Sequence, residues 1–200
     1  MKRERRAARR RENSTRDRII SAAEALFAST GIEKVSVADI ADSAGVHRVT
    51  VYRHFADRDA VITEVVERRS LPIFERAAAR LATSDRFPED LAFAMVAAID
   101  ETRQNPGLLA AMAVTYDGKT FRTAGTSDAF VARAGEVVRS HLQTAQVVGK
   151  MRADLDLDET VNWLLHVCLS WLFLDGDASA AYLLKLCNTY VMAALVTPKL

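Results

Sequence analysis

Residues 36–55, SVADIADSAGVHRVTVYRHF, leave room for little except two short helices. Ser36 stands as an N-cap with Asp39 three residues on, the spacing of a capping box in a weaker form. Ile40, Ala41 and Ala44 then recur at helical intervals and face inward over about 37–43. Gly45 interrupts the run. Val46, Val49, Val51 and Phe55 resume it from residue 47 or 48 to about Arg53, interleaved with Arg48, Thr50, Tyr52, Arg53 and His54. Two short helices meeting at a glycine turn form a helix-turn-helix. The second is either an amphipathic helix with a solvated basic face or a helix shaped to lie in a DNA groove.

The rest of the chain also reads as helix. Residues 1–14 are too polar to bury anything and read as a flexible basic arm. Ile19, Ile20, Ala23, Leu26 and Phe27 mark a helix over about 15–29, closed by Gly31 in a left-handed conformation. Asp57 caps a helix through Val61, Val65 and Val66, with a kink or break expected at Pro72 and helix resuming over Ile73–Leu81. Pro88 suits the first position of a helix over 88–104. Further helices are expected over 107–115, from a Ser127 cap to about 148, over 157–174 behind Asp156 and Glu159, and over 178–196. With only 8 glycines and 4 prolines in 200 residues, and no strand alternation, the chain is all-α with about nine helices.

The net charge of +1 conceals an asymmetry: residues 1–60 hold 13 Lys/Arg against 9 Asp/Glu, and most of that excess lies in the first 18 residues. A basic end points to a polyanionic partner. Cys168 and Cys187 show no metal-like spacing and lie in apolar stretches, so they read as buried thiols of a reducing cytoplasm. The longest apolar run, Val161–Leu174, is too short and interrupted to span a bilayer. No membrane association, metal or cofactor is expected.

The stretch RIISAAEALFASTGIEKVSVADIADSAGVHRVTVYRHFADRDAVI, residues 18–62, resembles the N-terminal DNA-binding domain of TetR (tetracycline-repressor) transcriptional regulators. The shared pattern is Phe27 to Gly31, Ser36, Gly45-Val46, Thr50, Tyr52, His54-Phe55 and Asp57-Arg58. It departs from the family at His47, where a capping Ser is usual, at Val49, often Gly, and at Arg58, commonly Lys. The resemblance implies a flexible arm (1–14), a three-helix DNA-binding domain (15–60) and a larger helical ligand-binding and dimerisation domain (61–200). It also implies a homodimer on a double-stranded palindromic operator and a small-molecule effector.

On this reading His47, Arg48 and Val49 sit at the exposed end of the recognition helix and reach base edges. Arg48 suits guanine O6 and N7, and Val49 a thymine methyl. The resemblance adds Ala38 near the groove. Ser36, Thr50, Tyr52, Arg53, His54 and Arg58 are expected on phosphates, which fix register without reading sequence. Arg5, Arg6, Arg9, Arg10 and Arg11 of the arm would track the backbone or enter a minor groove.

In the larger domain, Phe93, Met112, Tyr116, Phe121, Phe130, Trp163 and His166 are candidates for an apolar ligand pocket, although such residues are often simply core. Trp171, Leu183, Leu186, Cys187, Tyr190 and Ala194 are candidates for a dimer interface on the last two helices. A ligand would displace the helix that carries Pro72 and change the separation of the two recognition helices.

Two other classes compete. An enzyme would need a catalytic constellation: His166 and Cys168, two apart, point to different sides of a helix, and no GxSxG, HExxH or Walker-type loop is present. Counted from the start of DLDLDE, a calcium loop would need Gly at its sixth position and Glu at its twelfth, where this chain has Glu159 and Leu165. A non-specific or ligand-independent DNA binder is the nearer alternative.

Overall fold

The computed structural model describes residues 2–83, 85–115 and 128–196, with side chains described for 14–83, 85–112 and 134–196. Its helices are α1 (Lys2–Thr30), α2 (Val37–Ser43), α3 (Arg48–His54), α4 (Arg58–Ala82), α5 (Glu89–Arg103), α6 (Pro106–Thr115), α7 (Asp128–Val147) and α8 (Leu157–Phe173). A last helical run passes from α9 (Ala180–Leu186) through a π-helical turn (Cys187–Val191) into α10 (Met192–Leu195). Among the described residues there is no strand beyond a lone bridge between Met151 and Val196. No described helix is long and apolar enough to cross a membrane.

The chain forms two compact units, one of residues 1–69 with 105–127, the other of 70–104 with 128–200. In the first, α1 packs on α2 and α6. Ile19, Ile20, Ala23 and Phe27 of α1 are buried together with Ile40 and Ala41 of α2, Val51 of α3, and Leu108 and Ala111 of α6. The approach of α6 to α1 depends on Gly107. A Cβ there would lie 2.6 Å from Glu24 Cγ and 2.9 Å from the Glu24 carbonyl oxygen. Asn105 starts α6 by accepting from Leu108 N–H at 3.1 Å.

In the second unit α5 packs against α8 and α9, and α7 against α8. Leu91, Ile99, Leu142, Leu164, Leu183, Met192 and Leu195 fill its interior. Arg103, in the last turn of α5, donates to the carbonyl oxygens of Ala178 (2.7 Å), Trp171 (2.9 Å) and Asp175 (2.8 Å). One guanidinium thereby satisfies an acceptor in the last turn of α8 and two in the connection that leads to α9. The buried carboxylate of Asp90 is held by Arg86 at 2.9 Å and Arg80 at 3.3 Å.

Three local expectations are corrected. Helix α1 reaches back to Lys2 instead of starting near residue 15. Arg, Ala, Glu and Lys are strong helix formers, and polarity prevents burial without preventing helix. Helix α4 does not break at Pro72, which lies inside it on an exposed face. There the ring costs the Arg68 carbonyl its amide donor but displaces nothing packed. Pro88 is the N-cap of α5, not its first residue, and follows a cis peptide from Phe87. Ser127 lies outside the described residues. The other caps match the sequence: Asp57 accepts from Ala60 N–H at 2.7 Å, and Asp156 from Glu159 N–H at 2.9 Å.

Candidate nucleic-acid interface

The geometry of α2 and α3 follows from their ends. Ser36 Oγ accepts from Asp39 N–H at 3.2 Å, while the Asp39 carboxylate accepts from Ser36 N–H at 2.8 Å and from Ser36 Oγ at 2.7 Å. This is the reciprocal capping box, and its bonds from the Ser36 side chain and then the Ser36 backbone hold the Asp39 carboxyl below its usual range. At the other end of α2, Val46 N–H reaches the Ala41 carbonyl at 3.0 Å and Gly45 N–H the Asp42 carbonyl at 3.1 Å. Those are the paired bonds of a Schellman ending. Gly45 adopts φ +63°, a conformation that side chains with a Cβ resist. The turn fixes the direction in which α3 leaves.

Helix α3 buries Val51, with Phe55 buried just beyond it, and presents the opposite side to solvent. His47, Arg48, Val49, Tyr52 and Arg53 are exposed. Val49, an apolar side chain in the first turn of α3, is 79% exposed. Ala38, Thr50 and His54 are half-buried. His47 is the N-cap residue but makes no capping bond with its ring. Arg48 Nη2 donates to Tyr52 Oη at 3.1 Å, and the guanidinium carbon lies 5.5 Å from the centre of the Tyr52 ring.

Two of the phosphate candidates are engaged within the chain. Arg58 turns inward: Nε donates to the Val35 carbonyl at 2.8 Å and Nη2 to the Ile32 carbonyl. It braces the approach to α2 through these two backbone acceptors. Ser36 Oγ has given its hydrogen to Asp39 and has none left to offer a phosphate. Thr50, Tyr52, Arg53 and His54 remain on or beside the exposed side of α3. For Arg5, Arg6, Arg9, Arg10 and Arg11, the backbone is the N-terminal part of α1 and the side chains lie outside the described residues.

Sequence reasoning missed Arg16. Its Nη1 donates to the His54 carbonyl at 3.2 Å, its Nη2 pairs with Glu64 at 2.5 Å, and its guanidinium lies 4.5 Å from the centre of the Phe55 ring. The available signal was position: Arg16 shares a helical stripe with Ile19, Ile20, Ala23 and Phe27, where a charge needs a built partner.

The candidate pocket residues do not converge. Met112 is buried in the first unit. Phe93 is 44% exposed beneath the Arg80 guanidinium, 3.9 Å away. Tyr116 and Phe121 lie outside the described residues, as does the side chain of Phe130. Trp163 and His166 instead line an apolar groove of about 420 Å³ with Val167, Ser170, Trp171, Leu186, Tyr190 and Val191. His166 Nδ1–H donates to the Asn162 carbonyl at 2.6 Å.

Of the dimer candidates, Leu183 and Cys187 are almost completely buried and Trp171 nearly so, which makes them core of their own subunit. Leu186, Tyr190 and Ala194 keep exposed surface, Tyr190 at 69%. Burial pushes the Cys168 and Cys187 thiols up to about 12, so both are neutral at physiological pH. No group of three or more His, Cys, Asp or Glu among the described residues is arranged to hold a metal ion.

Residues 19–65 match the family model of bacterial regulatory proteins, tetR family. An HTH-type transcriptional regulator of Mycobacterium tuberculosis is 30% identical over 131 residues, 66% of this chain. The chain spans about 65% of the length of that relative. Among solved structures, SmeT, the repressor of the Stenotrophomonas maltophilia multidrug efflux pump SmeDEF, is 25% identical with a TM-score of 0.66, covering 91% of this chain and 90% of SmeT. SmeT in complex with triclosan matches at 24% identity and a TM-score of 0.64, over 92% of each chain. A regulator from Pectobacterium atrosepticum has the same fold, at a TM-score of 0.74, 20% identity, and coverage of 96% of this chain and 99% of that one.

Proposed function

We propose that the chain, whose residues 19–65 match the family model of bacterial regulatory proteins, tetR family, is a sequence-specific transcriptional regulator of that family. It acts in the cytoplasm as a homodimeric repressor of a palindromic operator. The observation that carries this reading is the bare end of α3: Arg48 and Val49 stand in solvent while Val51 and Phe55 anchor the same helix in the core. A solvated basic face would give no reason to expose Val49. A face that meets thymine methyls and guanine edges does.

One helix-turn-helix reads only a few base pairs, so a second copy is needed for specificity. The apolar groove of α8 and the last helical run supports a homodimer, since Trp163, Leu186 and Tyr190 offer a mostly apolar surface broken only by His166 and Ser170. SmeT is a repressor and binds triclosan, which supports a small apolar effector for this chain. Binding of that effector would change the spacing of the two recognition helices and release the operator. We assign residues 15–60 to DNA reading and 61–200 to ligand binding and dimerisation.

Selection of random duplexes against the purified protein tests the reading. Enrichment of a palindrome, bound about 10³-fold or more above random DNA, is expected. Binding that shows no motif and simply fades with salt would leave only a non-specific binder.

A further inference from the structure

Arg48 and Tyr52 lie one helical turn apart on the exposed side of α3, and they are not independent. The phenol oxygen accepts a hydrogen bond from Arg48 Nη2 at 3.1 Å, and the guanidinium carbon stands 5.5 Å from the ring centre. Arginine has many rotamers in water, and a bidentate guanine contact requires one of them. Tyrosine has two side-chain torsions and a rigid ring, which makes it a good fixed support. Its oxygen, while accepting from Arg48, still keeps its own hydrogen. That hydrogen can be donated to a phosphate, which would tie the register of the backbone to the position of the base-reading group.

We propose that Tyr52 is a specificity-determining residue that acts through Arg48, holding its guanidinium in place for a base edge, in addition to any contact of its own with the backbone. The proposal rests on the DNA-reading role of α3. It differs from that role in one measurable respect. A residue that only touches phosphate weakens binding to every sequence alike, whereas a residue that positions Arg48 weakens discrimination at the base pair read by Arg48.

The test is a double-mutant cycle on the selected operator, the operator changed at the Arg48-read base pair, and random duplex. The proteins are wild type, Tyr52→Phe, Arg48→Ala and the double variant, each at two salt concentrations. Tyr52 is exposed, and thermal melting of each variant confirms that the fold is intact. Losing the preordered rotamer should reduce discrimination at that base pair about 2- to 10-fold in Tyr52→Phe. Tyr52→Phe also removes the phenol donor to phosphate, which lowers affinity for all three duplexes by one common factor, so the readout is the ratio between duplexes, and Tyr52→Phe should leave that ratio unchanged once Arg48 is alanine. An equal loss on all three duplexes, or a loss of discrimination that is the same with and without Arg48, would overturn the proposal and leave Tyr52 as a phosphate contact. A wild-type protein that prefers no sequence would overturn the regulator reading itself, and the proposal with it.

Discussion

Arg16 of α1 and Phe55, the residue after α3, are stacked, guanidinium over ring at 4.5 Å, although α2 and α3 lie between them in the order of the chain. The same guanidinium donates to the carbonyl of His54, the last residue of α3, and pairs with Glu64 of α4. The recognition helix is thus held at its C-terminal end by a residue of α1, while at its N-terminal end the Gly45 turn ties it to α2. Arg16→Ala should lower the stability of the protein by about 1–2 kcal/mol, a value discounted because the ion pair is partly exposed. It should weaken DNA binding to all sequences by a similar factor. Urea denaturation and binding to operator and random duplex check both effects, and a loss confined to one base pair would contradict a purely positioning role.

The capping box predicts a pH dependence. Hydrogen bonds from Ser36 hold the Asp39 carboxyl below its usual range, so the unfolded chain takes up this proton first as the pH falls. The stability that Asp39 contributes is present above about pH 4 and is lost as the pH drops through its lower folded value. Melting temperature followed from pH 6 to pH 3 should therefore fall more steeply for wild type than for Asp39→Asn. Ser36→Ala should remove most of the difference between the two curves.

Gly107 predicts a steric effect. A methyl group there meets Glu24 Cγ at 2.6 Å and the Glu24 backbone oxygen at 2.9 Å. The side chain can move, but the carbonyl belongs to α1. Gly107→Ala should cost about 1–3 kcal/mol, as overpacking does elsewhere, and should shift the urea midpoint without changing the slope. A neutral or stabilising substitution would mean that α6 can slide on α1.

Tyr190 tests the proposed homodimer. It lines the apolar groove at 69% exposure, so a carboxylate there would stay in water in the single chain. Tyr190→Asp should weaken self-association about 30-fold or more, taking a central aromatic anchor as worth roughly 2 kcal/mol. Sedimentation velocity over a range of concentrations measures it. A variant that stays fully associated would move the interface elsewhere.

The helix-turn-helix was legible because its signals are local: a Ser36 cap, a Gly45 turn and inward Val51 and Phe55 lie within twenty residues of one another. What escaped was either long-range or dependent on phase. No local pattern tells a phosphate-binding Arg58 from one that satisfies the carbonyls of Ile32 and Val35, and Arg16 finds its partners only when α3 and α4 return to α1. In the last helical run, a uniform 3.6-residue wheel places Leu183, Cys187, Tyr190 and Ala194 on one stripe. The π turn at Cys187–Val191 rephases the run, so that Leu183, Cys187, Val191 and Leu195 go inward while Tyr190 and Ala194 stay outside. The pocket candidates share only aromatic or apolar character, which does not specify a common location.

The contact between Gly107 and Glu24 also bears on how this protein can be cut apart. The unit that contains α3 is assembled from two separate stretches of chain, and α6 arrives only after α5 has been made. A fragment that stops at residue 69 would carry every residue assigned to DNA and still lack Leu108, Ala111 and Met112, which are buried in the intact unit. Grafting the reading head onto another protein therefore requires transplanting α6 as well, or replacing with polar residues the apolar surface that its removal lays bare on α1.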